Sequence, residues 1–178
     1  MAKTIEEQII LHEGLRLDVY KCSAGKLTIG VGRNLEDVGL YPHEQKMLWG
    51  TDGIPKSEII LRLRANGITK KAALAMLDTD ITKAKADIEN FRWFAKLNEV
   101  RKKVVIDMRF NLGPSRFRGF QKMIAAIDAG DYTKAAEEMI DSKWFSEVKT
   151  RAKRLALMMI TGKDYDDPEI ERRLKEWA

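Results

Sequence analysis

The sequence is poor in the residues that build disulfide frameworks and metal centres. Its 178 residues include one cysteine, Cys22, and two histidines, so no internal disulfide can form. No cluster of His, Cys and Asp has metal-ligand spacing, and Gly30-Val31-Gly32 lacks the rest of a nucleotide-binding motif. A single cysteine is typical of a protein kept in a reducing compartment. We therefore expect neither a metal nor a cofactor.

Long apolar runs are missing as well. Charged residues interrupt the apolar residues of segment 1–14, which therefore resembles neither a signal peptide nor a membrane span. We expect the protein to be made and kept in cytosol. Hydrophobic residues make up 44% and charged residues 33% of the chain, which is typical of one globular domain or of two small lobes sharing a core.

The charge balance is only mildly basic. The 32 Lys+Arg residues exceed the 27 Asp+Glu residues and give a net charge of +5, which favours polyanionic partners such as nucleic acid, anionic membrane or cell wall. The basic residues are scattered, so charge does not choose among these partners.

The first helix is predicted to place a carboxyl group at its end. Thr4 and Glu7 form a capping-box pattern, which predicts a helix start, and Gly14 predicts the stop. Glu13 continues the apolar stripe of this helix. Partial shielding from water and the negative end of the helix dipole both favour a protonated carboxyl group. Glu13 is thus a candidate acid, and the alternative is a carboxylate in solvent just past a helix end.

A β-hairpin is predicted next. Residues 17–21 and 26–32 alternate in polarity around a short glycine-containing loop. One face of the second strand is apolar, and the other, with Thr28, Gly30 and Gly32, is almost bare. Glycine in a strand often marks a close approach to the backbone. We interpret the bare face as the floor of a ligand groove beside Glu13.

The sequence after the hairpin predicts mostly helices. A loop with one helical turn around 42–49 is expected over residues 35–55. The expected helices are 57–65, 69–89, 99–111 with Asn98 as cap, 120–129, 132–141, 145–161 and a last piece from Pro168. The helix at 69–89 is long enough to bridge two lobes. In the last piece Ile170, Leu174 and Trp177 share a face. We favour its packing on the core over contact with a membrane surface.

Three polar residues of the hairpin region carry a family resemblance. Glu13, Cys22 and Thr28 follow the spacing E-x8-[D/C]-x5-T, within H-E-G-x-R-L-x-x-Y and T-I-G-x-G. This composite motif resembles the active-site signature of the T-even phage type of lysozyme, the phage endolysin muramidases. The segments DMRFNLG at 107–113, Ser-Lys-Trp at 142–144 and Arg-Ala-Lys-Arg at 151–154 are similar to later parts of that family.

The resemblance implies a fold and an activity. The fold is α+β and mostly α, a single lysozyme-like domain over residues 1–178, with a β-hairpin lobe at about 15–68, a helical lobe at 1–14 plus 76–178 and a bridging helix at about 69–89. The activity is hydrolysis of the β-1,4 bond between N-acetylmuramic acid and N-acetylglucosamine in peptidoglycan, which lyses a host bacterium.

The resemblance also implies residue roles. Glu13 is the general acid, Cys22 stands at the usual aspartate position, and Thr28 helps hold the attacking water. Arg151 matches an arginine that pairs with the catalytic glutamate, and Arg33 and Asp80 sit where an inter-lobe ion pair would form. The implied substrate-binding residues are Gly30, Gly32, Asn34, Phe110 and Asn111.

The role of Cys22 stays open at this stage. A thiol with an ordinary pKa of about 8.5 is mostly neutral at pH 7. It could act as a base if its pKa were lowered, as a nucleophile, or as a spectator while Glu13 and Thr28 carry the reaction. A cysteine without such a role is usually a small buried hydrophobe. Inversion and retention of configuration therefore both remain open.

Three rival functions fit parts of the sequence. A cysteine-dependent wall peptidase or amidase would use Cys22 with a histidine, but such enzymes place both on a β-sheet. A basic helical binding protein would bind nucleic acid or anionic membrane in a salt-sensitive way. A lytic transglycosylase would release anhydro-sugar ends, and the water-holding position of Thr28 argues against it.

The resemblance and the missing leader together lead to an expectation about location. We expect a monomer that waits in the host cytoplasm until a pore made by a separate, holin-type protein admits it to the periplasm and cell wall. Its expected partner is bacterial peptidoglycan. Nucleic-acid binding and stable membrane insertion are not expected.

Overall fold

The computed structural model describes residues 1–177. It is mostly helical and contains one small antiparallel sheet, so the α+β class predicted from the sequence is confirmed. The chain divides into two compact units: a sheet unit, Ile9–Asp80, and a helical unit, Met1–Gln8 with Ile81–Ala178. Within residues 1–177, no helix combines the length and the apolar character that crossing a bilayer requires.

The sheet unit combines a hairpin with short helices. Its elements are the end of α1 (Ile5–Glu13), β1 (Arg16–Lys21), β2 (Leu27–Gly30), β3 (Arg33–Asn34), α2 (Pro42–Trp49), α3 (Lys56–Asn66) and the start of α4 (Lys70–Ala86). The apolar side chains of these elements form one buried cluster that includes Ile29, Leu35, Leu63, Ala73 and Met76. Burial of this cluster stabilises the fold in proportion to the apolar area removed from water.

The sheet order is β1-β2-β3, with both pairs antiparallel. Tyr20 lies opposite Thr28, and Thr28 lies opposite Asn34 on the other side. The pairing of β1 with β2 is irregular between Arg16 and Tyr20. The predicted hairpin is therefore present, whereas β3, only two residues long, was not predicted because its sequence is too short to show a period.

The helical unit holds the remaining helices. They are α5 (Arg92–Ala95), α6 (Glu99–Arg118), α7 (Gln121–Asp128), α8 (Tyr132–Ile140), α9 (Lys143–Val148), α10 (Thr150–Thr161) and α11 (Pro168–Glu176). Helix α8 packs against α7 and α10, and α10 also contacts α6. Fully buried Val104, Met108, Ile127, Met139 and Leu155 fill the space between these helices.

Helix α6 continues beyond its predicted end. Asn98 caps it as predicted, since its side-chain oxygen accepts a hydrogen bond from the Arg101 N–H at 2.9 Å. The predicted stop at Gly113 is instead a kink, because Gly113 has φ 78° and ψ 169° and helical residues follow it. Pro114 suits the first position after the kink, where its missing N–H costs no hydrogen bond.

The predicted helix at 145–161 is two helices in the structure. They are separated at Lys149, which has φ 44° and ψ −108° and is the one non-glycine residue with positive φ among residues 1–177. Neither glycine nor proline marks this position, so sequence patterns gave no signal for the break. A lysine held in this backbone region stores strain.

Replacing Lys149 with glycine is expected to stabilise the protein. Glycine adopts positive φ without a Cβ clash, and release of the strain should raise the free energy of unfolding by about 1 kcal/mol. Thermal unfolding followed by circular dichroism measures the effect. Lys149→Ala is the matched control, because alanine removes the same side chain but keeps the Cβ. A glycine variant no more stable than the alanine variant would contradict the prediction.

Helix α11 packs against the rest of the helical unit, which agrees with the favoured prediction that this helix packs on the core. Ile170 is fully buried. The ring of Trp177 lies 5.7 Å from that of Phe145, centroid to centroid. The apolar face of this helix is thus used for packing.

Candidate active site

Glu13 is the last residue of α1 and is half-buried. The capping box at the other end of the helix forms as predicted, since Glu7 N–H donates to Thr4 Oγ1 at 3.2 Å and Thr4 N–H donates to Glu7 Oε2 at 2.8 Å. Gly14, with φ 74°, donates its N–H to the Ile10 carbonyl at 2.8 Å. Capping at both ends fixes where the helix stops and hence where the Glu13 side chain emerges.

The hairpin places Tyr20, Cys22 and Thr28 on one face. Tyr20 and Thr28 are cross-strand partners, and Cys22 follows Tyr20 by two positions, so these side chains point the same way. The Cys22 N–H donates to the Lys26 carbonyl at 2.9 Å, which closes the hairpin loop. The Thr28 hydroxyl donates to the same carbonyl at 3.0 Å, and Thr28 is 3% exposed.

The Glu13 carboxyl group lies directly against Gly32. A Cβ atom built on Gly32 would stand 3.0 Å from Glu13 Oε2, which is closer than side-chain carbons normally approach. Gly32 also has φ 69°, a conformation that favours glycine. The bare position that the sequence predicted is therefore the space that the carboxyl group of Glu13 occupies.

Tyr20 connects Glu13 and Cys22 electrostatically. Burial raises the pKa of the Tyr20 hydroxyl above its ordinary value, and the nearby charges of Glu13 and Cys22 raise it further, while Arg16 lowers it. The Arg16 guanidinium stacks on the Tyr20 ring, 4.5 Å from its centroid. No role was predicted for Tyr20 from the sequence. Its pairing opposite Thr28 and its position two residues before Cys22 place it on the same face as both.

The Cys22 thiol has a lowered pKa. Burial alone raises it, but hydrogen bonds with the backbone of Lys26 and Ala24 and with the Thr28 side chain together outweigh burial. The thiolate is thus easier to form here than on a free cysteine. Cys22 is half-buried.

Two of the predicted substrate-binding residues are used inside the sheet unit. A Cβ on Gly30 would meet Ala73 Cβ and Ile68 Cδ1, each at 3.7 Å, so Gly30 faces the apolar core. The expected open strand face does not include Gly30, because its φ of 67° breaks the strand alternation. The Asn34 side chain accepts hydrogen bonds from the backbone N–H groups of Glu36 and Asp37 and shapes the following turn.

Arg33 and Asp80 form an ion pair, but both belong to the sheet unit, whereas an inter-lobe pair was expected. Asp80 accepts hydrogen bonds from Arg33 Nε and Nη2, both at 2.9 Å. Glu44, which the sequence did not suggest, completes the site with bonds to Nη1 at 2.7 Å and Nη2 at 2.8 Å. The Gly39 and Met76 carbonyls accept two more bonds from the same guanidinium.

The helical unit holds the other predicted residues. Arg151 is bound to Asp107 through Nε at 2.9 Å and Nη2 at 2.7 Å, and Gln8 donates to the same carboxylate at 2.8 Å. Phe110 and Asn111 lie half-buried on α6. The Asn111 side-chain oxygen accepts a hydrogen bond from the buried indole N–H of Trp144 at 2.8 Å, which fixes the orientation of the amide.

Within residues 1–177, no group of three or more His, Cys, Asp or Glu side chains is placed to hold a metal ion. The candidate functional groups are the carboxyl group of Glu13, the thiol of Cys22 and the hydroxyls of Tyr20 and Thr28. A carboxyl group can act as an acid and a thiol with a lowered pKa as a base, and these are the two functions that acid–base hydrolysis requires.

Comparison with known proteins decides the family. The sequence model described as phage lysozyme matches residues 11–156, which include Glu13, Cys22, Thr28 and Arg151. The chain belongs to the phage lysozyme family. This phage lysozyme family member is accordingly a glycoside hydrolase, as the sequence motifs predicted.

Individual relatives of this phage lysozyme family member are distant. Probable T4-type lysozymes 1 and 2 of Dictyostelium discoideum are each 25% identical to it, over 91% of this chain and 96% of their own length. The pre-baseplate central spike protein Gp5 of Enterobacteria phage T4 is 27% identical over 89% of this chain. The chain spans only 28% of that spike protein.

Proposed function

We propose that this protein hydrolyses the β-1,4 bond between N-acetylmuramic acid and N-acetylglucosamine in peptidoglycan, with Glu13 as the general acid. The observation that carries the proposal is the contact of the Glu13 carboxyl group with Gly32, on the hairpin that also bears Cys22 and Thr28. Hydrolysis of a glycosidic bond needs a proton donor at the leaving oxygen and a second group that activates water or attacks the sugar.

We assign Thr28 to the water. Its hydroxyl has one proton, which it donates either to the Lys26 carbonyl or to the Cys22 thiolate, and in both cases its oxygen is left to accept a hydrogen bond from water. A water that donates one proton to Thr28 and the other to the Cys22 thiolate would direct its lone pairs at the sugar. In this scheme Cys22 acts as the base, and its lowered pKa supports that role.

The remaining predicted residues support the site in this proposal. The family resemblance assigns Arg151 to the catalytic glutamate. The two hydrogen bonds that Arg151 donates to Oδ1 of Asp107 hold its guanidinium in a fixed orientation. Asn111, anchored by Trp144, and Phe110 are proposed to bind substrate. These assignments remain proposals that substitution can test one at a time.

Cys22 can be tested by alkylation and by replacement. We expect iodoacetamide to react faster as pH rises through the pKa of the thiol, with a midpoint below the ordinary value, because only the thiolate reacts. The alkylated enzyme should lose wall hydrolysis, whereas Cys22→Asp should keep it. Mass spectrometry must confirm modification.

Two outcomes would revise the role of Cys22. A fully alkylated enzyme with unchanged activity would remove Cys22 from the reaction. A sugar adduct on the intact enzyme, detected by its mass during turnover, would make the thiolate a nucleophile and the reaction a retaining one.

A substitution at Gly32 tests the position of Glu13. In Gly32→Ala the new methyl group would stand 3.0 Å from Glu13 Oε2 and displace the carboxyl group. We expect at least a tenfold loss of activity, since small misplacements of catalytic groups are costly, up to about 100-fold for 1 Å. Hydrolysis of purified peptidoglycan measures the rate.

Gly25→Ala is the matched control for this experiment. Gly25 has a similar positive φ of 77°, but no atom lies within 4 Å of the position that a Cβ would take there. Both substitutions put a Cβ on a residue with positive φ and should therefore lower stability by similar amounts. Only Gly32→Ala also displaces Glu13, so only this variant should lose activity. Equal activities of the two variants would contradict the placement of Glu13.

We further propose that the protein lyses its host from inside, as an endolysin that acts as a monomer and is released through a pore made by a holin-type protein. Family membership and the mildly basic charge support this proposal. Expression in a bacterium with and without a pore-forming protein tests it. Lysis in both cultures at equal rates would contradict the dependence on a pore.

A further inference from the structure

A pocket in the helical unit has no role in the proposed reaction. Its volume is about 200 Å³, and it lies between the segment that follows α4, α5, the kinked part of α6 and α7. Its walls are apolar and half of them are aromatic: Ile88, Phe91, Trp93, Pro114, Phe117 and Ile124.

The aromatic walls form a connected arrangement. Phe91 stacks on Trp93 with ring centroids 5.7 Å apart, and Trp93 lies 6.4 Å from Phe117. Trp93 and Phe117 are buried, whereas Phe91 is 47% exposed. An exposed phenylalanine beside a buried aromatic floor gives the pocket an apolar entrance.

The edge of the pocket carries an uneven set of charges. Asp87 and Arg109 neutralise each other, since Arg109 Nε donates to Asp87 Oδ2 at 2.7 Å. Arg118 is exposed and makes no ion pair or hydrogen bond through its guanidinium to any residue in the described range 1–177. The edge therefore bears one uncompensated positive charge next to an apolar interior.

We propose that this pocket binds the alkyl chain of a single-chain anionic amphiphile, such as a fatty-acid carboxylate, with its headgroup at Arg118. A volume of about 200 Å³ is smaller than the roughly 300–1,000 Å³ of sites for drug-sized ligands, so the pocket admits a short alkyl chain. Apolar burial supplies the affinity, and Arg118 selects the sign of the headgroup.

Arg118 also has a structural explanation that the experiment must separate. It is the last residue of α6, where a cation is stabilised by the helix dipole. That role alone predicts a loss of stability on substitution and no change in ligand binding. The binding role predicts a change in affinity for an anionic ligand and none for a neutral one.

Isoleucine methyl resonances of the full chain provide the readout. We expect octanoate to shift the Ile88 and Ile124 methyl signals saturably and to leave Ile170 unmoved. Octanol should bind more weakly than octanoate, and octyltrimethylammonium more weakly still. Absence of saturable shifts at Ile88 and Ile124, or equal affinities for the two charged probes, would overturn the proposal.

Substitutions complete the test. Arg118→Gln should weaken octanoate binding about threefold, as expected for an exposed ion pair, and leave octanol binding unchanged. Arg172→Gln, at an exposed arginine of α11, is the matched control and should change neither affinity. Octanoate affinity that is the same in Arg118→Gln and Arg172→Gln would overturn the assignment. Ile124→Trp should fill the pocket and abolish binding of both probes.

Discussion

Replacing Glu13 with glutamine is expected to lower the rate of peptidoglycan hydrolysis by about 10²–10⁴-fold, the usual contribution of a general acid. Glutamine keeps the size of the side chain and its contact with Gly32. It has no acidic proton to give to the leaving oxygen. The initial rate of muropeptide release from purified cell walls measures the effect, and an unchanged melting temperature shows that the fold is intact.

Glu6→Gln is the control for this experiment. Glu6 lies on the same helix, in its first turn, so its replacement changes the net charge by the same amount. We expect activity within about twofold of the unmodified protein, since surface substitutions away from the site usually have small effects. A Glu13→Gln variant as active as Glu6→Gln would remove Glu13 from the mechanism.

Replacing Arg33 with methionine is expected to lower the free energy of unfolding by about 3–5 kcal/mol, the usual cost of breaking a buried ion pair. Arg33 is 2% and Glu44 1% exposed. Without the guanidinium, the buried Glu44 carboxylate would lose its ion-pair partner and lie close to the carboxylate of Asp80. Burial alone lowers the pKa of Arg33, but its bonds to Glu44 and Asp80 raise it above the ordinary value, so the group is charged at every working pH.

Urea denaturation of the full chain measures this loss. Lys26→Met is the matched control, because Lys26 pairs with Glu36 and Asp37 on an exposed surface. We expect that change to cost much less stability than Arg33→Met, because exposed ion pairs contribute little. Combining Arg33→Met with Glu44→Gln and Asp80→Asn should recover part of the loss, since no buried charge is then left alone. An Arg33→Met variant that is as stable as Lys26→Met would contradict this account of the ion pair.

Sequence patterns predicted those parts of the site that are set by residues close to one another in the chain. The capping box at Thr4 and Glu7 and the stop at Gly14 placed Glu13 at a helix end, because these patterns act over one helical turn. Strand alternation placed Thr28 on the face opposite Leu27 and Ile29, since side chains in a strand alternate with period two.

Long-range and strained features could not be read from the sequence. Glu44 approaches Arg33 only after the chain between them has folded, and nothing in its own helix marks it as an ion-pair partner. Gly30 points into the core because of its positive φ, which breaks the alternation that predicted an open face. Lys149 interrupts a helix in a conformation that lysine rarely adopts, so no propensity rule anticipates it.

Mass analysis of peptidoglycan digested in heavy-oxygen water tests the central claim most directly. The account predicts new reducing ends on N-acetylmuramic acid that carry the heavy oxygen, released by the unmodified protein and lost in Glu13→Gln. Anhydro-sugar ends would identify a transglycosylase, and new free amines with intact glycan chains would identify a peptidase or amidase. Either result would contradict hydrolysis at the glycosidic bond by Glu13.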